Sequence, residues 1–172
     1  DGAGAAVVTR SESPSVGVLS SHLHSQGEHA DELVMVAPNM NKWVTEIVSD
    51  NDPADSSYYP YMNGKLVFKN AVYRFQEVIN AGLNHNNLKS HEINLLIPHQ
   101  ANKRIIKAVG EKLGFSEENI YMTIQKYGNT SAASLPLGFA DAKSDGNITP
   151  GAASVLGVVG AGPPRPPAVI KW

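Results

Sequence analysis

The sequence predicts an α/β fold, because from residue 64 onward amphipathic helix-like segments alternate with short apolar strand-like runs. The order is helix, strand, helix, strand, helix, strand. Such an order favours right-handed crossovers and a mixed, largely parallel sheet with helices on its faces. Gly114 and Gly146 follow two of the predicted helices, where glycine commonly ends a helix. No repeat with a period of about 20 to 50 residues is present.

Two strands and a surface excursion are predicted in the first third of the chain. Residues 5–9 form a short apolar run that predicts a buried strand. Alternation over residues 16–24 predicts a second strand paired with the first. Residues 25–63 are rich in Asp, Asn, Pro and Ser, so we interpret them as a surface excursion without assigned regular structure. All of residues 1–172 is interpreted as one domain.

Six elements are predicted after residue 63. Apolar residues at steps of three and four predict three helices, over residues 64–83, 102–113 and 130–143. Apolar runs predict three strands, over residues 93–97, 120–124 and 154–159. Thr130 or Ser131 is expected to cap the third helix.

The composition excludes several classes of function. With 172 residues, 42% of them apolar, the chain is long enough to bury one core. A net charge of −2 gives no global attraction to nucleic acid. No apolar run approaches the length of a membrane span. The absence of cysteine excludes disulfides and zinc–thiolate sites and suits a cytoplasmic protein, and it means that any thiol chemistry needs a sulfur from elsewhere.

Polar and small residues follow the ends of the predicted strands, where open α/β sheets bind ligands. His99 follows the strand over 93–97, and Asn129 lies between the strand over 120–124 and the third helix. On converging loops these two side chains would form a pair of hydrogen-bond donors to a developing oxyanion. His22 and His24 share one face of a strand, but no carboxylate follows at ligand spacing, so no metal site is predicted.

Two segments carry a resemblance to a known family. The run Ile-Pro-His-Gln-Ala-Asn-Lys-Arg-Ile-Ile at 97–106 and the run Tyr-Gly-Asn-Thr-Ser-Ala-Ala-Ser at 127–134 resemble the C-terminal signatures of β-ketoacyl-[acyl carrier protein] synthase III. The opening Asp-Gly-Ala-Gly-Ala-Ala, the segment His-Leu-His-Ser at 22–25 and Gly-Ala-Gly at 160–162 follow in that family's order. The resemblance implies the C-terminal half of a thiolase-like fold.

The resemblance also implies the chemistry. The family condenses an acyl group, taken from acyl-CoA onto a cysteine of the N-terminal half, with malonyl-acyl carrier protein. His99 and Asn129 would stabilise the enolate, and the backbone N–H of Ala161 would belong to the oxyanion hole. The implied binding residues for pantetheine and the carrier protein are Gly64, Phe68, Ala101, Asn102 and Arg104. Phe68 could equally belong to a helix core.

The expected partners follow from the same resemblance. They are an N-terminal half that bears the nucleophile and is absent from this chain, acyl carrier protein, and a second copy in a homodimer; no cofactor is expected. The first residues open without a methionine in a glycine-rich turn, which also predicts a piece of a longer protein that is inactive alone. The basic residues Lys103, Arg104 and Lys107 indicate either a solvated face or a docking patch for an acidic partner, with a functional role favoured for Arg104.

Two alternatives remain at this point: a non-catalytic thiolase-like partner subunit, and a related acyltransferase of secondary metabolism. The sequence also departs from the family after Gly162, where prolines stand at 163, 164, 166 and 167. Proline cannot donate to a sheet ladder, so the first half of the last strand is expected to be lost or pushed to an edge.

Overall fold

A four-stranded mixed sheet organises the protein. The computed structural model describes residues 1–35, 59–158 and 167–172. Its strands are β1 (Gly17–Ser21), β4 (Leu95–Pro98), β5 (Ala153–Gly157) and β6 (Pro167–Lys171), in the spatial order β1-β6-β5-β4. A separate two-stranded ribbon pairs β2 (Leu33–Val34) with β3 (Tyr61–Met62) inside the predicted surface excursion. The rest of that excursion, residues 36–58, lies outside the described residues.

Within the described ranges, four α-helices accompany the sheet: α1 (Gly64–His85), α2 (Lys103–Leu113), the one-turn α3 (Ile124–Tyr127) and α4 (Ser134–Ser144). Short 3₁₀ turns occupy Gly27–Glu32, Ser90–Glu92, Glu117–Asn119 and Ser131–Ala133. No helix within the described ranges has both the length and the apolar character needed to cross a membrane.

The mixed sheet with helices is confirmed, but parallel pairing is confined to one side of it. β4 and β5 run parallel, whereas β6 is antiparallel to both β5 and β1. The chain length between strands explains this difference. Nine residues separate β5 from β6, fewer than a parallel crossover requires, whereas the long segment between β4 and β5 contains helices.

The expectation that the first half of the last strand would be lost or pushed to an edge falls on residues 163–167, of which only Pro167 is among the described residues. β6 begins at Pro167 and occupies an interior position between β1 and β5. Proline is tolerated at the first residue of a strand, and the Pro167 carbonyl accepts a hydrogen bond from the His22 backbone N–H at 3.1 Å. Residues 159–166, with the other three prolines, lie outside the described residues.

The predicted strand over residues 5–9 is wrong. These residues form no strand and are exposed, with Val7 94% and Val8 82% accessible. β1, predicted to pair with them, pairs with β6 instead. An apolar run forms a buried strand only where it can pair with a neighbouring strand and pack against a layer of other residues. The described residues provide neither contact for residues 5–9. The backbone at Gly4 instead packs against the Pro136 ring so closely that a β-carbon would collide with it.

The predicted strand over residues 120–124 is reduced to a single parallel bridge. Ile120 pairs with Leu96, and the Tyr121 N–H donates to the Leu96 carbonyl at 2.9 Å. Further along the segment, the N–H groups of Thr123 and Ile124 both donate to the side-chain oxygen of Gln100 rather than to a neighbouring strand. Because these donors are taken by a side chain, the segment cannot continue as a strand and turns into α3.

Local signals placed the first two helices correctly. Asn63 caps α1 by accepting a hydrogen bond from the Leu66 N–H at 3.3 Å, and Asn102 caps α2 by accepting from the Arg104 N–H at 2.8 Å. Gly114 ends α2 with a φ of 76°. The third predicted helix begins later than expected. Residues 131–133 form a 3₁₀ turn, and α4 starts at Ser134 without a side-chain cap.

The core lies between α1, α2 and one face of the sheet. Its fully buried side chains include Ile79, Leu96, Val109, Val155 and Val169. Residues of α1 reach it at the helical spacing that the sequence predicted: Ala71, Val72, Phe75, Val78, Ile79 and Leu83. The core therefore holds the C-terminal end of β4 against β5. The candidate site lies next to that end of β4.

Gly157→Ala is expected to lower the free energy of unfolding by about 1–3 kcal/mol. A β-carbon at Gly157 would overlap the ring of Phe75, which is itself buried in the core. Gly27→Ala is the matched control, since a β-carbon there meets open space and the expected change is within about 0.5 kcal/mol. Chemical denaturation of both variants measures the difference, and equal stability would show that the Phe75 ring moves freely.

Candidate active site

His99 directly follows β4, and one of its two ring nitrogens is hydrogen-bonded to the protein. Its backbone N–H donates to the Gly157 carbonyl at 2.7 Å, which extends the β4–β5 ladder by one residue. The ring is half-buried, and its Nδ1 lies 2.7 Å from Ser134 Oγ. Burial lowers the pKa of His99 below its ordinary value of 6.5, so the ring is neutral at pH 7. Within the described residues, Nε2 forms no hydrogen bond.

Asn129 lies on the loop between α3 and α4. Gly128, with a φ of 67°, precedes it and lets the chain reverse after α3. The Asn129 side-chain oxygen accepts a hydrogen bond from the Ser131 N–H at 2.9 Å. This bond orients the amide, because it uses the oxygen and leaves the NH₂ group without a partner in the described part of the chain. The side chain is exposed, so its two donors are available to a ligand.

Ser131 and Ser134 connect the two predicted catalytic residues. Ser131 binds Asn129 through its N–H, and its carbonyl accepts a hydrogen bond from Ser134 Oγ at 2.8 Å. Ser134 Oγ in turn contacts His99. Ser131 has a φ of 52°, a conformation that costs a non-glycine residue about 1–3 kcal/mol and that is common at functional sites. The structure thus places His99 and Asn129 at two ends of one hydrogen-bonded chain.

Gln100 was missed as a site residue by the sequence reasoning. Its side chain is fully buried and makes four hydrogen bonds. The NH₂ group donates to the carbonyls of Pro98 (2.7 Å) and Tyr121 (3.2 Å). The side-chain oxygen accepts from the N–H groups of Thr123 (2.9 Å) and Ile124 (3.1 Å). Gln100 therefore ties the His99 loop to the segment that leads into the Asn129 loop, and the polar residue directly after His99 was the signal.

The other predicted binding residues lie at the starts of two helices. Ala101, Asn102 and Arg104 are exposed around the first turn of α2, where Asn102 also caps the helix. Gly64 and Phe68 lie in the first turns of α1, and Phe68 is 37% exposed, so it does not belong to the helix core.

No hydrogen bond joins these five residues to His99 or Asn129 in the described ranges. Ala161 lies outside the described residues.

The basic residues of α2 differ in their surroundings. Lys107 forms an ion pair with Glu117 at 2.6 Å, and this pair lowers the pKa of the Glu117 carboxyl. Lys103 and Arg104 are exposed and form no ion pair with any described residue.

Among the described residues no three His, Cys, Asp or Glu side chains come together as metal ligands would. His22 contacts the Ser20 hydroxyl at 3.1 Å and the edge of the His85 ring.

Comparison with known proteins identifies the family of the chain. The family described as 3-oxoacyl-[acyl-carrier-protein (ACP)] synthase III C terminal matches residues 83–172, more than half of the chain. β-Ketoacyl-[acyl-carrier-protein] synthase III of Blochmanniella pennsylvanica is 43% identical over 162 residues, which are 94% of this chain and 47% of that protein. The chain thus spans about half the length of the curated relatives it matches.

Solved structures show the same relationship. The 3-oxoacyl-[acyl-carrier-protein] synthase III of Aquifex aeolicus superposes with a TM-score of 0.79 at 33% identity, over 95% of this chain and 47% of that one. The priming β-ketosynthase of the R1128 polyketide biosynthetic pathway superposes with a TM-score of 0.76 at 26% identity, over 93% and 46%. The expected thiolase-like fold is confirmed. The chain belongs to the 3-oxoacyl-[acyl-carrier-protein] synthase III family and corresponds to its C-terminal half.

Proposed function

We propose that this chain supplies the His/Asn half of a condensing active site. The reaction would join an acyl group, taken from acyl-CoA, to malonyl-acyl carrier protein and yield 3-oxoacyl-acyl carrier protein, the first condensation of fatty-acid synthesis. The observation that carries the proposal is the chain of hydrogen bonds from Asn129 through Ser131 and Ser134 to His99. Membership of the synthase III family supports it.

The two side chains have the chemistry that the malonyl step requires. When malonyl thioester loses carbon dioxide, the C–C bond breaks and its electron pair is delocalised onto the thioester oxygen as an enolate. The Asn129 NH₂ group is preoriented to donate to that oxygen, and His99 would contact it through Nε2. Hydrogen-bond donors held at the developing oxyanion stabilise the enolate, and each is worth about 3 kcal/mol of barrier. The enolate carbon then attacks the acyl thioester of the enzyme, and the cysteine thiolate leaves.

The remaining parts of the site belong to the same proposal. The backbone N–H of Ala161 would join the oxyanion hole. Gly64, Phe68, Ala101, Asn102 and Arg104 would line the pantetheine tunnel and contact the carrier protein. The exposure of Phe68 and Arg104 supports that role, since the exposed ring and a guanidinium without an ion-pair partner among the described residues are both available to a ligand.

The proposed partners are an N-terminal half that provides the nucleophilic cysteine, acyl carrier protein, and a second copy of the enzyme. The chain has no cysteine, so the nucleophile must come from outside it. Large apolar side chains are exposed on β1, on the β2–β3 ribbon and on α1, namely Val18, Tyr61, Met62 and Tyr73. Their exposure supports a covering partner. Without it we expect the chain to be inactive, and we expect the cytoplasm to be its compartment and no cofactor to be needed.

A joined protein tests the proposal. This chain would be fused to the N-terminal half of the Blochmanniella pennsylvanica relative, and release of carbon dioxide and formation of 3-oxoacyl-acyl carrier protein would be measured. We expect turnover, and His99→Ala should lower it at least about 100-fold. His91→Ala, which removes an exposed histidine of a 3₁₀ turn, is the control and should be silent. Condensation that survives His99→Ala would contradict the proposed role.

Two alternatives remain to be distinguished. The superposition on a priming β-ketosynthase of a polyketide pathway favours the reading as an acyltransferase of secondary metabolism. A panel of acyl-CoA donors of different length and branching discriminates that reading from fatty-acid initiation. A non-catalytic partner subunit would give a folded joined protein without turnover, and the presence of both His99 and Asn129 disfavours it.

A further inference from the structure

The Ser134 hydroxyl lies at the meeting point of three groups in the candidate active site. Its oxygen is 2.7 Å from His99 Nδ1, 2.8 Å from the Ser131 carbonyl oxygen and 3.2 Å from the Gln100 backbone nitrogen. Ser134 is only 2% exposed, so these three groups, rather than solvent, decide where its single proton points.

Counting protons distinguishes two arrangements. A hydroxyl has one proton and two lone pairs, the Gln100 N–H can only donate, and the Ser131 carbonyl can only accept. If the hydroxyl donates to the carbonyl, its oxygen accepts from both the Gln100 N–H and a proton on His99 Nδ1, and all three contacts are hydrogen bonds. If it donates to Nδ1 instead, the Ser134 hydroxyl oxygen and the Ser131 carbonyl oxygen face each other at 2.8 Å with no proton between them. That separation is typical of an O–H···O hydrogen bond and is repulsive without the proton, although the carbonyl would still accept from the Ser134 backbone N–H. The first arrangement is therefore favoured.

We propose that Ser134 is a positioning residue that holds neutral His99 with its proton on Nδ1, so that Nε2 carries none and acts first as a hydrogen-bond acceptor. The meaning of this arrangement for catalysis rests on the proposed function. The arrangement itself rests only on the three contacts of the hydroxyl.

The tautomer sets an order of events. Nε2 must gain a proton before it can donate to a thioester oxygen. The thiol that is acylated in the proposed reaction releases one: its S–H bond breaks, an N–H bond forms at Nε2, and the thiolate attacks the acyl carbon. The coenzyme departs as a thiolate that takes its proton from solvent. His99 would then enter the malonyl step as a donor, and Ser134 would keep Nδ1 bonded throughout.

Histidine nitrogen NMR tests the proposal directly. The chain contains six histidines, so ¹⁵N-histidine labelling with a His99→Gln variant assigns the signal of interest. At a pH well above the ordinary histidine pKa of about 6.5, two-bond ¹H–¹⁵N couplings show which nitrogen is protonated. We expect the Nδ1–H pattern for His99. Ser134→Ala should lose it in favour of Nε2–H, the tautomer that unpartnered histidines prefer, and Ser134→Thr should restore it.

His91, which is exposed, is the internal control and should keep one pattern in all variants. An Nε2–H pattern in the unaltered chain would overturn the proposal, and so would an Nδ1–H pattern that persists in Ser134→Ala. Should Ser134→Ala fail to fold, the pattern of the unaltered chain alone decides. The readout needs no turnover, so an Nδ1–H tautomer in a joined protein without condensing activity would overturn the proposed function and leave this inference standing.

Discussion

Asn129→Ala is expected to lower malonyl decarboxylation by the joined protein about 100- to 1000-fold, the usual cost of removing one oxyanion donor. The physical reason lies in the orientation of the amide. Its oxygen is occupied by the Ser131 N–H, so the NH₂ group is held ready without a protein partner in the described residues. The measurement is the rate of carbon dioxide release from malonyl-acyl carrier protein at saturating substrate, where transition-state stabilisation appears in kcat.

Asn129→Asp separates the donor from its structural role. A carboxylate oxygen still accepts from the Ser131 N–H, so the loop should keep its conformation, but both donors are lost and a negative charge faces the developing enolate. We expect a loss at least as large as for Asn129→Ala. Asn147→Ala is the matched control, because that side chain is exposed and makes no described hydrogen bond. Full activity of Asn129→Asp would show that the amide protons contribute nothing.

Gln100→Leu is expected to lower the free energy of unfolding by about 3–5 kcal/mol, because it leaves four backbone groups without their hydrogen-bond partner in a buried site. The carbonyls of Pro98 and Tyr121 lose their donors, and the N–H groups of Thr123 and Ile124 lose their acceptor. Leucine is no smaller than glutamine, so the substitution leaves no cavity and its main effect is the loss of hydrogen bonds. Chemical denaturation measures it.

Two further variants calibrate the Gln100 result. Gln125→Leu removes an exposed amide with one bond, to the Met122 carbonyl at 2.8 Å, and should change stability by no more than about 0.5 kcal/mol. Gln100→Glu keeps the acceptor for Thr123 and Ile124 but turns an oxygen toward two carbonyls. Burial and that contact favour the protonated form, so the cost of this variant should shrink as pH falls. Equal stability of the Gln100→Leu and Gln125→Leu variants would contradict the proposed linkage.

How far the site could be predicted depended on the kind of signal. His99 and Asn129 were predicted from their positions after apolar runs and from the resemblance of their neighbours to a known family. Ser134 and Gln100 lay in the same quoted runs, yet no role was assigned to them. Each has one local partner, but the partners that define its role are 34 and 35 residues away for Ser134 and 21 to 24 residues away for Gln100. No local sequence pattern specifies contacts at that distance.

The α/β class, the family and the helices α1 and α2 could be predicted from the sequence alone, because helix hydrogen bonds and caps such as Asn63 and Asn102 are local. The predicted strands over 16–24, 93–97 and 154–159 correspond to β1, β4 and β5, whereas contacts elsewhere in the fold determined the other three. The apolar run at residues 5–9 pairs with no described strand, and the run at 120–124 ends its pairing where Thr123 and Ile124 donate to Gln100. β6 lies in the interior of the sheet although it begins with a proline. The backbone hydrogen bonds of a strand are made with neighbouring strands, so residues far along the chain determine whether a strand forms.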